Sequence, residues 1–238
     1  MQNSPTTSTS SQNSLPSLAV LQTLQKQLMA EQDRRKRRNA IAGYIPYPKQ
    51  REFHARGAAS RERLLMAGNQ LGKTYCGGSE ASYHLTGQYP EWWTGKRFAV
   101  PIRMWCGSVT SEMTRDSVQR TLIGKPADSE SWGEGTIPAD CLGKMSRRQG
   151  VSNALDTVLV RHVSGGWSSV GFKSYDQGRE KWQSESLHVV WFDEEPPMDI
   201  YMEGLTRTNA VVGSMVYTTF TPLMGMSDVV HMFLEGDS

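Results

Sequence analysis

The chain has 238 residues, 21% charged and 37% hydrophobic, with a formal net charge of +2, which suits one large α/β domain, with or without an appendage, that buries a sizeable core. So small a net charge excludes a protein that holds nucleic acid through its global field, and any such contact must be local and salt-dependent. Three cysteines (Cys76, Cys106, Cys141) without paired or metal-ligand spacing fit a reducing compartment, and neither a bilayer-spanning run nor a secretory signal is legible.

Residues 1–14 are polar and rich in Ser, Thr and Asn, so a disordered tail is expected. From residue 15 the pattern changes. Leu18, Leu21, Leu24 and Leu28 recur at helical spacing, and the stretch ends in Arg34-Arg35-Lys36-Arg37-Arg38. Residues 15–42 therefore read as a basic amphipathic helical arm, its cations at the carbonyl end of the dipole. The leucine stripe favours packing on the main domain, while the basic cluster leaves a docking or DNA-facing role open.

Gly43-Tyr44-Ile45-Pro46-Tyr47-Pro48 must be loop or extended chain, because its prolines forbid a helix. A helix then runs from Lys49 to near Gly57. An aromatic, Pro-rich loop followed by Gln50 suits an adenine pocket, with Tyr44 or Tyr47 stacking on the base and the Gln50 amide pairing with its edge. A surface loop with a helix cap accounts for the same residues equally well.

The centre of the chain is the stretch Leu64-Leu65-Met66-Ala67-Gly68-Asn69-Gln70-Leu71-Gly72-Lys73-Thr74. An apolar run that reads as a buried strand meets a glycine-bearing turn, then Lys-Thr, then a helix over 75–85. Ala67 to Thr74 fits the phosphate-loop pattern, with Ala67 where the first glycine usually sits. The chemistry explains the layout: backbone N–H groups and a helix N-terminus converge on an anionic polyphosphate. Gly72 admits the phosphates, Lys73 reaches the β and γ oxygens, and Thr74 is placed to ligate Mg²⁺. Gly77-Gly78 weakens the helix, and the residues from Gly87 to Pro90 stop it.

Trp92-Trp93 reads as a packing anchor. Residues 103–109 form a short strand, and 111–122 a helix capped by Ser111. Between Gly124 and Gly150 the composition predicts irregular structure with one short helix. Residues 157–163 and 168–174 read as a hairpin in which His162 is structural. A polar loop follows, with Arg179 near its middle. Leu187-His188-Val189-Val190-Trp191-Phe192 is the apolar run of a strand buried on both faces, and it ends in Asp193-Glu194-Glu195-Pro196-Pro197. Carboxylates at that end of a buried strand lie where open α/β sheets place ligands. Asp193 suits Mg²⁺, and Glu194, pointing differently, suits activation of a water. One more strand, 214–222, ends in Thr-Pro.

Together these residues resemble the large subunit of tailed-phage terminases, the ATP-driven DNA-packaging motor, over about residues 44–232. The resemblance rests on Tyr47-Pro48-Lys49-Gln50-Arg51-Glu52-Phe53-His54, the phosphate loop, Trp191-Phe192-Asp193-Glu194-Glu195-Pro196-Pro197 and Thr219-Phe220-Thr221-Pro222-Leu223-Met224-Gly225. It implies a RecA-like (ASCE) P-loop NTPase over 43–238, with a mainly parallel central sheet flanked by helices. It also implies a catalytic set of Lys73, Asp193 and Glu194, an adenine-side Gln50, and a coupling motif containing Thr219 and Thr221. ATP and Mg²⁺ are the implied cofactors. The implied partners are double-stranded viral DNA, a portal protein, a small terminase subunit and further copies in a ring on the portal, the isolated chain being a monomer in the host cytoplasm.

The chain departs from the family pattern in two ways. Many relatives carry an Arg inside the phosphate loop, where this chain has Asn69 and Gln70. A catalytic arginine is then expected from elsewhere, and Arg179 is the candidate, acting on a neighbouring subunit. The family's C-terminal nuclease domain also has no counterpart here, so an ATPase part without nuclease activity is expected. Two rival readings share these motifs: another RecA-like nucleic-acid motor such as a helicase, and a nucleotide-binding assembly protein that does not turn over.

Overall fold

The computed structural model describes residues 17–183, 185–222, 225 and 227–235. The expected tail over 1–14 and Leu223-Met224 of the coupling motif lie outside the described residues. The chain divides into two units at Arg35/Lys36. The first contains most of helix α1 (Leu18–Arg37), a helix without a buried side chain. Two of its cations are already paired: Glu31 accepts from Arg34 at 2.7 Å and from Arg35 at 2.8 Å, which holds its carboxyl down at about 2.

The second unit is built on a seven-stranded sheet of order β1-β7-β6-β2-β5-β4-β3. Strands β1 (Glu62–Met66), β2 (Arg103–Ser108), β5 (Trp167–Ser174), β6 (Val189–Asp193) and β7 (Met215–Phe220) run parallel to one another. Strands β3 (Leu142–Arg147) and β4 (Leu155–Arg161) extend it antiparallel beyond β5. One strand, β7, separates the phosphate-loop strand β1 from the acid-ended strand β6.

Alternation along β6 and β7 sends side chains to two cores, one on each face of the sheet. Trp191 and Tyr217, paired in register and stacked with centroids 6.0 Å apart, enter the first with Leu85, Val118 and Leu122. Val190, Phe192 and Val216 enter the second with Ile200 and Tyr201. Every residue of β6 is buried, as its unbroken apolar run requires.

Helices α2 (Pro48–Arg56) and α3 (Lys73–Thr86) flank the first face, and α6 (Met198–Thr208) and α7 (Asp228–Glu235) supply side chains to the second core. Between β2 and β3 a helix runs as α4 (Ser111–Met113), a π turn over Thr114–Gln119 and α5 (Arg120–Ile123). Its cap is Thr110, whose Oγ1 accepts from Met113 N at 3.1 Å, not the expected Ser111. Gly77 and Gly78, which weaken the helix on propensity, are packing residues. A Cβ at Gly77 would meet the Trp191 ring at 2.6 Å, and one at Gly78 would meet Thr121 Cγ2 at 2.5 Å. The about 1 kcal/mol that glycine costs in a helix is offset by the close approach of α3 to the sheet and to α5.

The expectation of irregular chain between Gly124 and Gly150 is corrected by β3. That strand is an outer one, only partly covered and broken by register shifts, and its Gly, Lys and Arg give little β signal.

Candidate active site

The turn between β1 and α3 takes its shape from two left-handed residues, Gln70 (φ 61°) and Gly72 (φ 72°). Left-handed residues of this kind let a short turn such as Ala67–Thr74 curl its amides toward an anion. Gln50 fastens this turn to α2. Its Nε2 donates to the Leu71 and Gly72 carbonyls at 3.3 and 3.4 Å, and its Oε1 accepts from Tyr47 N at 2.9 Å. Lys73 Nζ donates to Gly68 O and to Thr221 Oγ1, both at 2.7 Å. Thr221 Oγ1 in turn donates to Asn69 Oδ1 at 2.8 Å.

At the end of β6, Asp193 is buried and collects hydroxyls from three elements. Its Oδ1 accepts from Thr74 Oγ1 on α3 and Thr219 Oγ1 on β7, both at 2.9 Å, and its Oδ2 accepts from Ser117 Oγ on the π turn at 2.8 Å. Burial pushes this carboxyl up from its ordinary range, while the hydroxyls from Ser117, Thr219 and Thr74 and the Lys73 charge pull the other way. Trp191 Nε1 fixes Thr219 from behind at 2.8 Å.

Glu194 has a left-handed backbone (φ 70°), a conformation seldom held by a non-glycine residue away from functional sites. Its N–H donates to Thr219 O at 2.9 Å, and its carbonyl accepts from the buried Tyr175 hydroxyl at 2.8 Å. Glu194 lines a cavity of about 590 Å³. Asn69, Gln70, Gly72, Lys73, Thr74, Ser117 and Arg120 line the same space. Burial, then the neighbouring Asp193 charge, pushes the Glu194 carboxyl up.

A second cavity of about 730 Å³ adjoins through Lys73 and is lined by Tyr47, Gln50, Ala67 and Leu71. Tyr47 is exposed there, whereas Tyr44 is buried with its hydroxyl 3.4 Å from Gln50 Oε1 and 3.1 Å from His54 Nε2. Of the two tyrosines expected to offer a face to a base, Tyr44 is spent on the interior and Tyr47 alone lines the cavity.

The fold thus brings the phosphate-loop residues, Asp193, Glu194, Thr219 and Thr221 into one constellation. Arg179 lies outside it, its Nε 2.8 Å from Oε2 of Glu203 on α6, with the arginine side chain 59% exposed and the glutamate buried. Reasoning from motifs missed Ser117, Arg120 and Tyr175. The available signal was position: the first two follow β2, whose C-terminal end abuts that of β6. Chemically, a carboxylate with hydroxyl oxygens around it suits a hard divalent cation, and the amide-lined turn beside it suits a polyphosphate.

Residues 64–238 match the family described as terminase large subunit, T4likevirus-type, N-terminal. The terminase large subunit of Salmonella phage P22 is 42% identical over 229 residues, covering 89% of this chain and 46% of its own length. That of Enterobacteria phage LP7 is 25% identical over 234 residues, covering 89% and 47%. The chain spans about half the length of the curated relatives it matches. Among solved structures, a mutant form of the Thermus phage P74-26 large terminase ATPase domain aligns with a TM-score of 0.56 at 19% identity, over 82% of this chain and 72% of that one. The HK97 bacteriophage large terminase aligns at 0.54 and 13% identity, over 81% and 36%. These two likenesses show the fold that the motifs imply, a RecA-like α/β core with a mainly parallel sheet.

Proposed function

This chain belongs to the terminase large-subunit family, and from that premise we propose that it is the ATP-hydrolysing motor part of a machine that packages viral DNA. One observation carries the reading: the Asp193 carboxylate is bonded to Thr74 at the end of the phosphate loop and to Thr219 of the coupling strand, with Glu194 next in the chain.

In this reading Glu194 orients a water for in-line attack on the γ-phosphate of ATP, its half-buried carboxyl tuned upward toward a useful basicity. Lys73 exchanges its contact with Thr221 for phosphate oxygens, and the loop amides hold the rest of the polyphosphate. Asp193 and Thr74, with Ser117 and Thr219 as further oxygens, fit Mg²⁺ by their donor chemistry. When bound there, Mg²⁺ neutralises the charge of the phosphates. Tyr47 and Gln50 form the adenine side. Arg179, exposed and paired with Glu203, acts on the ATP of a neighbouring copy in a ring.

The family premise extends the proposal to partners: double-stranded viral DNA, the portal protein, the small terminase subunit and further copies of this chain, in the host cytoplasm. No helix among the described residues is long and apolar enough to cross a membrane. The test is phosphate release from ATP, measured with and without DNA and portal. Stimulated release supports a packaging motor, strand separation without portal dependence supports a helicase, and nucleotide-ordered assembly without release supports the non-hydrolysing alternative.

A further inference from the structure

We propose that Arg120 is a catalytic residue acting in cis, a guanidinium that contacts the γ-phosphoryl oxygens of the ATP bound by its own chain. The inference rests on the ATPase reading above and adds a residue to it.

Two cations line the 590 Å³ cavity among the described residues, Lys73 and Arg120. Lys73 already donates to Gly68 and Thr221. Arg120 is exposed to the cavity and takes part in no ion pair among the described residues. The two acidic side chains of the same wall that would otherwise claim it are occupied. Arg115 grips both oxygens of Asp116, Nε to Oδ1 at 2.7 Å and Nη2 to Oδ2 at 2.8 Å, and Glu134 faces Arg37 at 3.4 Å. The Arg115 hydrogen bonds, with a smaller contribution from the Arg120 charge, keep the Asp116 carboxyl below its usual range. The cavity therefore holds, among the described residues, a forked donor without an ion pair beside the phosphate loop and Glu194.

The helix is built to present it. The π turn over Thr114–Gln119 adds a residue to the helical repeat, as often happens at functional sites. It delivers Ser117 Oγ to Asp193, and Arg120, three residues on, lines the same cavity. Val118, Leu122 and Ile123 are fully buried in the core, and Thr121 packs against Gly78 of α3. The guanidinium is thus carried on a fixed element, which is what a preorganised transition-state contact needs. Asn69 and Gln70 offer no charge from the loop itself, and a planar fork of donors matches the oxygens on which charge gathers.

The test compares wild type, Arg120→Ala and Arg120→Lys in the full chain, by phosphate release and by affinity for ADP with and without aluminium fluoride. Arg120→Ala should lower turnover by about a hundredfold or more. ADP affinity should stay within about threefold, and the tightening by fluoride should be lost, because the contact is made to the transferring group. Arg120→Lys should recover part of both. Turnover and fluoride tightening like wild type overturn the inference, as does an equal loss of ADP affinity, which marks ground-state binding. A wild-type chain that neither binds nor hydrolyses ATP overturns the underlying reading and this inference with it, an outcome told apart by the wild-type control.

Discussion

Lys73 and Thr221 are joined by a 2.7 Å hydrogen bond from Nζ to Oγ1, so the lysine of the phosphate loop is held by the residue that follows strand β7. An incoming phosphate must compete with that bond. Removing it should make nucleotide binding easier and coupling worse. For Thr221→Val, ATP affinity should rise by about fivefold, the equivalent of about 1 kcal/mol for one hydrogen bond, while ATP-driven DNA movement is lost. Equilibrium binding and a packaging assay check both halves; weaker ATP binding would count against the competition.

Glu194→Gln keeps the shape of the side chain and removes its basicity. Turnover should fall by about 10²–10⁴, with ATP affinity retained. The proposed role requires an ionised carboxyl in the wild type, and burial with the Asp193 charge raises its pKa. Turnover should therefore decline with falling pH at a higher pH than an unperturbed carboxylate would give. A pH profile of single-turnover rates measures this, and a profile flat down to the ordinary carboxylate range would remove Glu194 from the role.

Asp193 is held at the expense of stability. Its folded pKa is raised, chiefly by burial, so the fold favours its protonated form. The sign follows from linkage: stability associated with this group is full below the unfolded carboxylate pKa and is lost as pH rises through the folded value. At neutral pH, Asp193→Asn should melt above wild type without nucleotide, the gap closing as pH falls, and should bind Mg²⁺-ATP poorly. Thermal melts across pH test the pair of outcomes, and a lower melting temperature at neutral pH contradicts it.

Beneath the site, Glu80 of α3 is fully buried between Arg63 of β1, His54 of α2 and His84, with His54 Nδ1 at 2.7 Å and His84 Nε2 at 3.2 Å. Burial alone would raise this carboxyl, but the Arg63 charge and the histidine hydrogen bonds win and hold it well below its ordinary range. Glu80 thus stabilises the fold above the unfolded carboxylate pKa, and that contribution fades as pH falls toward the folded value. Glu80→Ala leaves Arg63 buried without its counter-ion and should cost about 3–5 kcal/mol. Denaturant midpoints measure this, and a loss under about 1 kcal/mol would show that the cluster is not a structural hub.

The parts of the site that are contiguous in the chain were readable before the fold. Lys73 and Thr74 close a local turn, and Asp193 and Glu194 end a buried strand, so each piece carries its chemistry in its own spacing. Residues that meet only because β2, β6 and β7 lie side by side gave no such signal. Ser117 reaches Asp193 across 76 positions, and the Tyr175 hydroxyl that supports the strained Glu194 comes from the loop after β5. Gly77 shows the same limit from the opposite side: its propensity argues against a helix, while its neighbour Trp191 requires one without a side chain at that point. Tyr44 looked like a free aromatic face because sequence does not show that His54 and Gln50 would bury it.

Arg179 tests the trans arrangement. In an assembled ring with DNA, Arg179→Ala should lower turnover by about 10³ and abolish cooperativity while leaving nucleotide affinity in place. In the monomer the same change should leave basal hydrolysis unaltered, since Arg179 faces Glu203 and not its own cavity. Wild-type behaviour in the ring would assign the trans contact to another residue.

The most direct measurement is a crystal structure of this chain with Mg²⁺ and a non-hydrolysable ATP analogue. The account predicts the triphosphate in the cavity shared by Lys73 and Glu194, with the metal on Thr74 and Asp193 and the base beside Gln50. A nucleotide bound elsewhere, or a metal held away from Asp193, would contradict it.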